Sequence, residues 1–115
     1  MIYQKYYLII LKTIKKQNNG DSMELKEVIY IDSLPSIDLH GFDRDYARVR
    51  VNEFINDNLK MKNEIVCIVH GIGSGILKET VHNTLKLNKY VSDYKLFYNN
   101  VGCTIVKINL NKNYK

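Results

Sequence analysis

Two short segments of the sequence carry side chains that can perform acid–base chemistry. Asp38 and His40 lie within residues 36–41, and His70 opens a run with glycine at 71, 73 and 75. An imidazole titrates near neutral pH and can act as a general base or acid, while a carboxylate can orient it or hold a divalent cation. Glycines let a ligand approach the main chain closely, and free N–H groups at a helix start attract anions. The combination is typical of a site for a phosphate or another anion.

The hydrophobic pattern around these segments predicts the element order β-α-β-α-β-β. A short alternating strand ends at Gly41, Asp43 caps a helix that runs to about residue 60, and a continuous apolar strand covers 64–69. A second amphipathic helix follows the glycine run, and strands at 91–98 and 103–110 flank a hairpin turn at 99–102. Right-handed crossovers make the first two strands parallel and place the helices on one face. We therefore expect a two-layer α/β sandwich with a mixed four-stranded sheet.

The predicted topology places the candidate residues at one edge of the sheet. Parallel neighbouring strands end at the same edge, so Asp38, His40 and His70 are expected to converge beside the start of the second helix. The glycine run alone is a weak signal, because a tight strand-to-helix turn also uses glycine. It lacks the Lys-Ser or Lys-Thr pair of a P-loop, and the chain lacks the second half of a dinucleotide-binding fold.

Composition is that of one globular domain. The chain has 115 residues, of which 45% are hydrophobic and 25% charged, and no apolar run is long enough to span a membrane. Cys67 and Cys103 show no C-x-x-C spacing, so we expect neither a zinc site nor a disulfide framework, but two buried thiols in a reducing, cytoplasmic compartment. More than half of the net charge of +5 comes from residues 1–22. The rest of the chain is mildly basic, which permits a nucleic-acid partner through a local patch.

Three ordered motifs resemble the small MutS-related (Smr) domain, in particular its short stand-alone members. They are Ile37-Asp38-Leu39-His40-Gly41, the segment 68–75 that contains H-G-x-G-x-G, and the closing segment 102–106, G-x-T-I-V. The resemblance extends over about residues 35–110. It implies a fold similar to the carboxyl-terminal domain of a bacterial translation initiation factor. It also implies an endonuclease that cleaves phosphodiester bonds in DNA or RNA, in a repair or ribosomal context. A monomer that does not act at a membrane is the default expectation.

The resemblance also implies the functional positions of the site. The catalytic candidates are Asp38, His40 and His70, and the candidates of the phosphate-binding loop are Gly71, Gly73, Ser74 and Gly75. As a hypothesis, His40 acts as general base on a water or a ribose 2′-hydroxyl, and Asp38 orients it or holds a cation such as Mg²⁺. His70 either protonates the leaving oxygen or fixes the loop. Whether a metal is needed stays open.

Basic residues beside the site are candidates for contact with a nucleic acid. Arg44 and Arg48 are four residues apart on the first helix, and Lys78 lies near the amino end of the second. The alternative is a solvated polar face, because acidic residues alternate with these charges. His82 lies within the second helix without an acidic or histidine neighbour, and we interpret it as a surface residue.

Two features favour alternatives to an active nuclease. Ile72 stands where many Smr domains have Lys or Arg, and Val101-Gly102 replaces a paired glycine; the missing charge favours a non-catalytic module that binds nucleic acid or a ribosome. Residues 1–22 are predicted to be an amino-terminal extension and linker, either a helical appendage or an upstream start that is not used, before a domain at 23–115. An extension that docks on a partner would make the protein an interaction adaptor.

Overall fold

The computed structural model of the chain describes residues 34–97 and 100–111, so the extension at 1–22 and the linker to the domain lie outside the described residues. The elements are β1 (Ser36–Asp38), α1 (Arg44–Lys60), β2 (Ile65–Val69), α2 (Ile76–Leu87), β3 (Val91–Phe97) and β4 (Asn100–Ile108). This order confirms the predicted β-α-β-α-β-β arrangement. Across the residues described, no helix combines the length and the apolar character that crossing a bilayer requires.

The four strands form one mixed sheet in the order β1-β2-β4-β3. β1 is parallel to β2, with Asp38 opposite Val69, and β4 is antiparallel to both β2 and β3. The predicted turn at 99–102 is too long, because β4 begins at Asn100 and pairs there with Phe97. The Gly102 carbonyl explains the longer strand: it accepts the N–H groups of both His70 and Gly71, at 3.0 and 2.9 Å, so β4 stays attached beyond the end of β2.

Both helices pack on one face of the sheet. Alternate residues of a strand point to opposite faces, so Val66 and Ile68 of β2 face the helices while Ile65 and Cys67 face the other side. The helix-facing core contains the apolar stripe predicted for α1, and its buried members are Ala47, Val51, Ile55 and Leu59. A smaller buried cluster on the opposite face includes both cysteines and Ile105. The fold is therefore a two-layer α/β sandwich, as the pattern predicted.

The ends of α1 are set by two local motifs. Asp43 is the N-cap, and its Oδ1 accepts the Tyr46 N–H at 2.8 Å. At the other end, the N–H of Asn63 donates to the Asn58 carbonyl and that of Lys62 to the Leu59 carbonyl, the paired bonds of a Schellman motif. This motif requires a left-handed residue after the cap, and Lys62 takes that conformation with φ 61°. A side chain therefore stands where glycine would be unstrained.

Lys62→Gly is expected to raise the free energy of unfolding by roughly 0.5–1 kcal/mol, because glycine adopts a positive φ without a Cβ penalty. The measurement is denaturant unfolding followed by circular dichroism. Lys62→Ala is the matched control: it removes the charge but keeps the Cβ, so it should give no such gain. Equal stabilisation by alanine would show that the charge, not the conformation, limits this helix end.

Candidate functional site

One groove opens at the edge of the sheet where β1 and β2 end. It has a volume of about 670 Å³ and is lined by the β1–α1 turn, from His40 to Arg44, and by residues 70–78 of the glycine loop and first turn of α2. The Leu39 N–H donates to the Val69 carbonyl at 2.8 Å and holds the two strand ends side by side. The structure therefore brings His40, His70 and the glycine loop to one concave rim.

Asp38 and His40 have different positions relative to this groove. His40 lines it, while Asp38 is not among the lining residues. Ile37 and Leu39 pack on the helix-facing core, so strand alternation directs the intervening Asp38 side chain to the other face. Its Oδ1 accepts the main-chain N–H of His40 at 2.9 Å. The Asp38 carboxylate thus bonds to the main chain of His40, in a turn of the kind that short acidic side chains favour.

The glycine loop presents a small set of main-chain donors to the groove. Gly71 and Gly75 have φ values of 78° and 85°, in the left-handed region that favours glycine. Their N–H groups are already donated, to the Gly102 carbonyl and to the Ile72 carbonyl. In the described segments, the N–H groups of Ile72, Gly73 and Ser74 have no protein acceptor. Any anion held by loop amides would therefore contact this middle part of the loop.

Ser74 belongs to the start of α2. The N-cap residue of this helix is Gly75, which has no side chain to bond the first-turn amides. The Ser74 Oγ accepts the Ile76 N–H at 3.4 Å and partly replaces that cap. The Ser74 hydroxyl is thus directed at the helix, while the residue itself lines the groove.

His70 is held by hydrogen bonds at both ring nitrogens. Its Nδ1 lies 2.8 Å from the Gly71 carbonyl oxygen, and its Nε2 lies 2.8 Å from the Thr104 hydroxyl. The same hydroxyl lies 2.8 Å from the Nε2 of His82, whose ring contacts Tyr94. The interpretation of His82 as a surface residue is wrong, because β4 lies between β2 and β3 and brings Thr104 beneath α2.

Burial lowers the pKa of both histidines below the ordinary value of 6.5. For His70 desolvation is the largest cause, opposed by its bond to the Gly71 carbonyl, and the charge of Lys78 lowers the pKa further. For His82 desolvation is again the largest cause, followed by His70 and Lys78. Both rings are therefore neutral at physiological pH.

These shifts predict a pH-dependent stability. Below about pH 6.5 the unfolded chain takes up protons that the folded chain does not, so the free energy of unfolding should fall as the pH is lowered. Above that value both states hold neutral imidazoles, and these two residues add no slope. Thermal unfolding between about pH 5 and pH 7.5 measures the effect, and His82→Gln should make the slope shallower. An unchanged slope in that variant would contradict the assignment.

The basic candidates are divided between two grooves. Arg44 and Lys78 line the groove that contains His40, and Arg44 also lines, together with Arg48, a neighbouring groove of about 740 Å³ between α1 and α2. Arg48 is paired with Asp45 at 2.7 Å, and Asp43 and Glu79 also line this second groove. Acidic side chains therefore lie beside Arg48, while Arg44 and Lys78 are the basic candidates that line the His40 groove.

A dedicated metal cage is not evident in the part of the chain that the structure describes. No group of three histidine, cysteine, aspartate or glutamate side chains could hold an ion there. Asp38 offers one exposed carboxylate, and one of its oxygens already accepts the His40 N–H. A lone carboxylate can hold Mg²⁺ only together with waters and substrate phosphates, so these residues do not form a resident metal site.

Comparison with known proteins gives a consistent result. The profile of the Smr domain matches residues 37–109. A ribosome rescue factor SmrB of Shewanella sp. (strain W3-18-1) is 38% identical over 63 residues, which are 53% of this chain and 36% of that protein. An endonuclease MutS2 of Clostridium botulinum (strain Eklund 17B / Type B) is 38% identical over 60 residues, 52% of this chain and 8% of that protein. The chain thus spans about a third of the SmrB relative and a small part of MutS2.

Two solved structures share the fold. The Smr domain of Thermus thermophilus MutS2 superposes with a TM-score of 0.63 at 20% identity, covering 65% of this chain and 98% of that domain. YdaL, a stand-alone small MutS-related protein from Escherichia coli, superposes with a TM-score of 0.61 at 23% identity, covering 64% and 63% of the two chains. At these identities the likeness shows the fold alone.

Proposed function

The chain belongs to the Smr domain family, and from this premise we propose that it is an endonuclease that cleaves phosphodiester bonds of DNA or RNA in the His40 groove. One observation carries the proposal: the exposed His40 and three loop residues whose N–H groups have no acceptor within residues 34–97 and 100–111 line the same groove. A base beside a cluster of main-chain donors is an arrangement that supports phosphoryl transfer, because the base activates the attacking oxygen and the donors stabilise charge on the phosphate.

The proposed reaction uses the loop as an anion cradle. The scissile phosphate lies over the N–H groups of residues 72–74, beside the positive end of the α2 dipole, and these donors stabilise charge on its oxygens. Arg44 and Lys78, which line the groove, hold the flanking backbone. His40 takes the proton from a water or a ribose 2′-hydroxyl, whose oxygen then bonds to phosphorus as the bond to the leaving oxygen breaks.

His70 has the loop-fixing role of the two considered for it. Both of its ring nitrogens are engaged by protein groups, and the residue is 6% exposed. A general acid must reach the leaving oxygen with a free N–H, and buried His70 offers none. We therefore assign protonation of the leaving oxygen to water in the open groove. We assign Asp38 as a positioning residue, because its carboxylate bonds to the main chain of His40.

The relatives suggest where such an activity would operate. SmrB is named as a ribosome rescue factor and MutS2 as an endonuclease, and both are longer than the segment they share with this chain. We propose a monomeric, cytoplasmic enzyme whose substrate is nucleic acid in a ribosomal or repair context. A docking role of residues 1–22 lies outside the described residues.

The test is a cleavage assay with labelled single-stranded and duplex DNA and RNA. Each substrate is incubated with purified protein, with magnesium and with a chelator, alongside His40→Ala and Asp38→Ala preparations. Cleavage that depends on His40 supports the proposal, and its persistence in chelator separates general-base from metal-dependent catalysis. Cleavage that survives both substitutions comes from a contaminant and refutes the enzyme.

A second candidate function is binding without cleavage. Ile72 is 67% exposed at the mouth of the groove, where it adds no charge toward a phosphate. In this case the wild-type chain would retard the labelled nucleic acid but leave it intact. Ile72→Lys should then tighten binding severalfold and steepen its salt dependence, because it adds one phosphate contact.

A further inference from the structure

We propose that Thr104 and His82 are positioning residues for the glycine loop, because they fix the tautomer of His70 and through it the Gly71 carbonyl. The three side chains form one connected chain from α2 through β4 to the loop, with each contact at 2.8 Å. His82 lies outside the three sequence motifs, and the sequence alone did not indicate that it contacts residues of the site. The consequence for catalysis rests on the proposed function, while the hydrogen-bond assignment stands independently of it.

The donor and the acceptor of each of these three hydrogen bonds follow from the bond at the glycine loop. The Gly71 carbonyl can only accept, so His70 must carry its proton on Nδ1. In the neutral ring Nε2 is then an acceptor, and the Thr104 hydroxyl must donate to it. The hydroxyl has one proton, so the Nε2 of His82 must be protonated and donate to Thr104. The tautomers of both histidines are thereby assigned, and Thr104 supplies the donor that keeps the Nε2 of His70 unprotonated.

The hydrogen-bonded series His82–Thr104–His70 accommodates one extra proton but not two. If His70 gains a proton at Nε2, the Thr104 hydroxyl can turn and donate to His82, which then moves its own proton to Nδ1. If both rings are charged, two donors face one hydroxyl and the rings repel. The other groups facing this chain are Lys78 of α2, whose charge acts on both rings, and Tyr94 of β3, whose ring contacts His82. Neither supplies a negative charge that would stabilise a doubly protonated pair.

The contact between His70 and the Gly71 carbonyl determines how the glycine loop presents its N–H groups to the groove. His70 fixes the Gly71 carbonyl, and the Gly102 carbonyl fixes the Gly71 N–H, so both sides of this residue are held. The next three amides, residues 72–74, have no acceptor among the described residues and belong to the loop that lines the groove. A freely turning His70 would release the Gly71 carbonyl, and the loop would lose the orientation of those amides.

Nuclear magnetic resonance of the histidine rings tests the assignment directly. In long-range ¹⁵N–¹H spectra near pH 7.5, wild-type His70 is expected to carry its proton on Nδ1 and His82 on Nε2. Thr104→Val removes the hydroxyl at nearly constant shape and should convert His70 to a mixture of tautomers. Thr104→Ser, the conservative variant, should restore the wild-type pattern. If His70 keeps a single Nδ1–H tautomer in Thr104→Val, or if His82 is protonated on Nδ1 in the wild type, the proposal is overturned.

Amide hydrogen exchange in two sets of variants tests whether Thr104 and His82 act on the glycine loop. Hydrogen exchange of the residue 72–74 amides should become faster in Thr104→Val and return toward the wild-type rate in Thr104→Ser. His82→Gln keeps a donor for the Thr104 oxygen and should exchange at the wild-type rate. His82→Phe removes the donor that orients the Thr104 hydroxyl and should make exchange faster, in the same direction as Thr104→Val, so a Thr104→Val protein that does not fold still leaves a test. Unchanged exchange in His82→Phe would overturn the positioning role.

Kinetics separate this inference from the proposed function. With a cleavable substrate, Thr104→Val should lower kcat by about 10-fold or more with little change in KM, because the donors are misplaced rather than removed. A protein that cleaves nothing but shows the expected tautomers and exchange refutes the nuclease and leaves the positioning chain intact. A protein that cleaves normally in both Thr104→Val and His82→Phe refutes the catalytic consequence of the chain.

Discussion

His40→Ala is expected to slow phosphodiester cleavage by about 10²–10⁴-fold, the usual contribution of a general base. His40 lines the groove and is exposed, and its main-chain N–H donates to Asp38. Removal of the ring from an exposed position should leave the free energy of unfolding within about 0.5 kcal/mol of the wild type. Single-turnover cleavage of a labelled oligonucleotide, with binding measured separately, checks the rate.

The matched comparison is Asp38→Ala, which keeps the ring but removes the bond to the His40 N–H. We expect it to lower the rate less than His40→Ala does, because it loosens the base without deleting it. Asp45→Ala on α1, whose carboxylate faces Arg48 and not the reacting groups, controls for the loss of a nearby charge. A rate in His40→Ala within a fewfold of the wild type would contradict the assignment of the base.

Leu39→Ala is expected to lower the free energy of unfolding by about 2–5 kcal/mol. Leu39 is completely buried in the helix-facing core, although both of its chain neighbours are exposed. Truncation leaves a cavity under the turn that carries His40, and surrounding groups refill such a cavity only in part. Denaturant unfolding measures the loss, and Leu87→Ala, at a side chain that is 86% exposed, should change stability by no more than about 0.5 kcal/mol.

The same variant should lose more activity than its unfolded fraction explains. Leu39 is the residue between Asp38 and His40, so a shift of its backbone moves the base relative to the loop. Cleavage is therefore compared at a temperature where both proteins are folded. A Leu39→Ala protein that is strongly destabilised but cleaves at the wild-type rate would show that the turn is held by its hydrogen bonds and not by the core.

Much of this architecture could be predicted from the sequence, because it depends on local pattern. The apolar spacing of α1, the Asp43 cap and the continuous apolar run of β2 each reflect a short-range rule, and the structure contains all three. The convergence of His40 with the glycine loop required only that β1 and β2 be parallel, which right-handed crossover makes the expected arrangement.

The features that were not predicted depend on strand order and on face. Nothing in the pattern of β3 and β4 states which of them pairs with β2, and without that choice Thr104 cannot be placed beneath His82. The face of Asp38 was available from strand alternation, since Ile37 is the core-facing residue beside it. The hydrogen bond from the Gly71 N–H to the Gly102 carbonyl could not be predicted, because it joins residues far apart in the sequence.

The strand that precedes His40, β1, lies at the edge of the sheet. β1 has three residues, pairs with β2 alone and forms one border of the sheet, while β2 is enclosed by strands on both sides. A border strand of this length can detach in a sub-global opening that leaves the remaining strands paired. His40 and the glycine loop therefore belong to parts of the molecule with different local stability. A brief detachment of β1 from β2 would separate His40 from the loop without unfolding the protein.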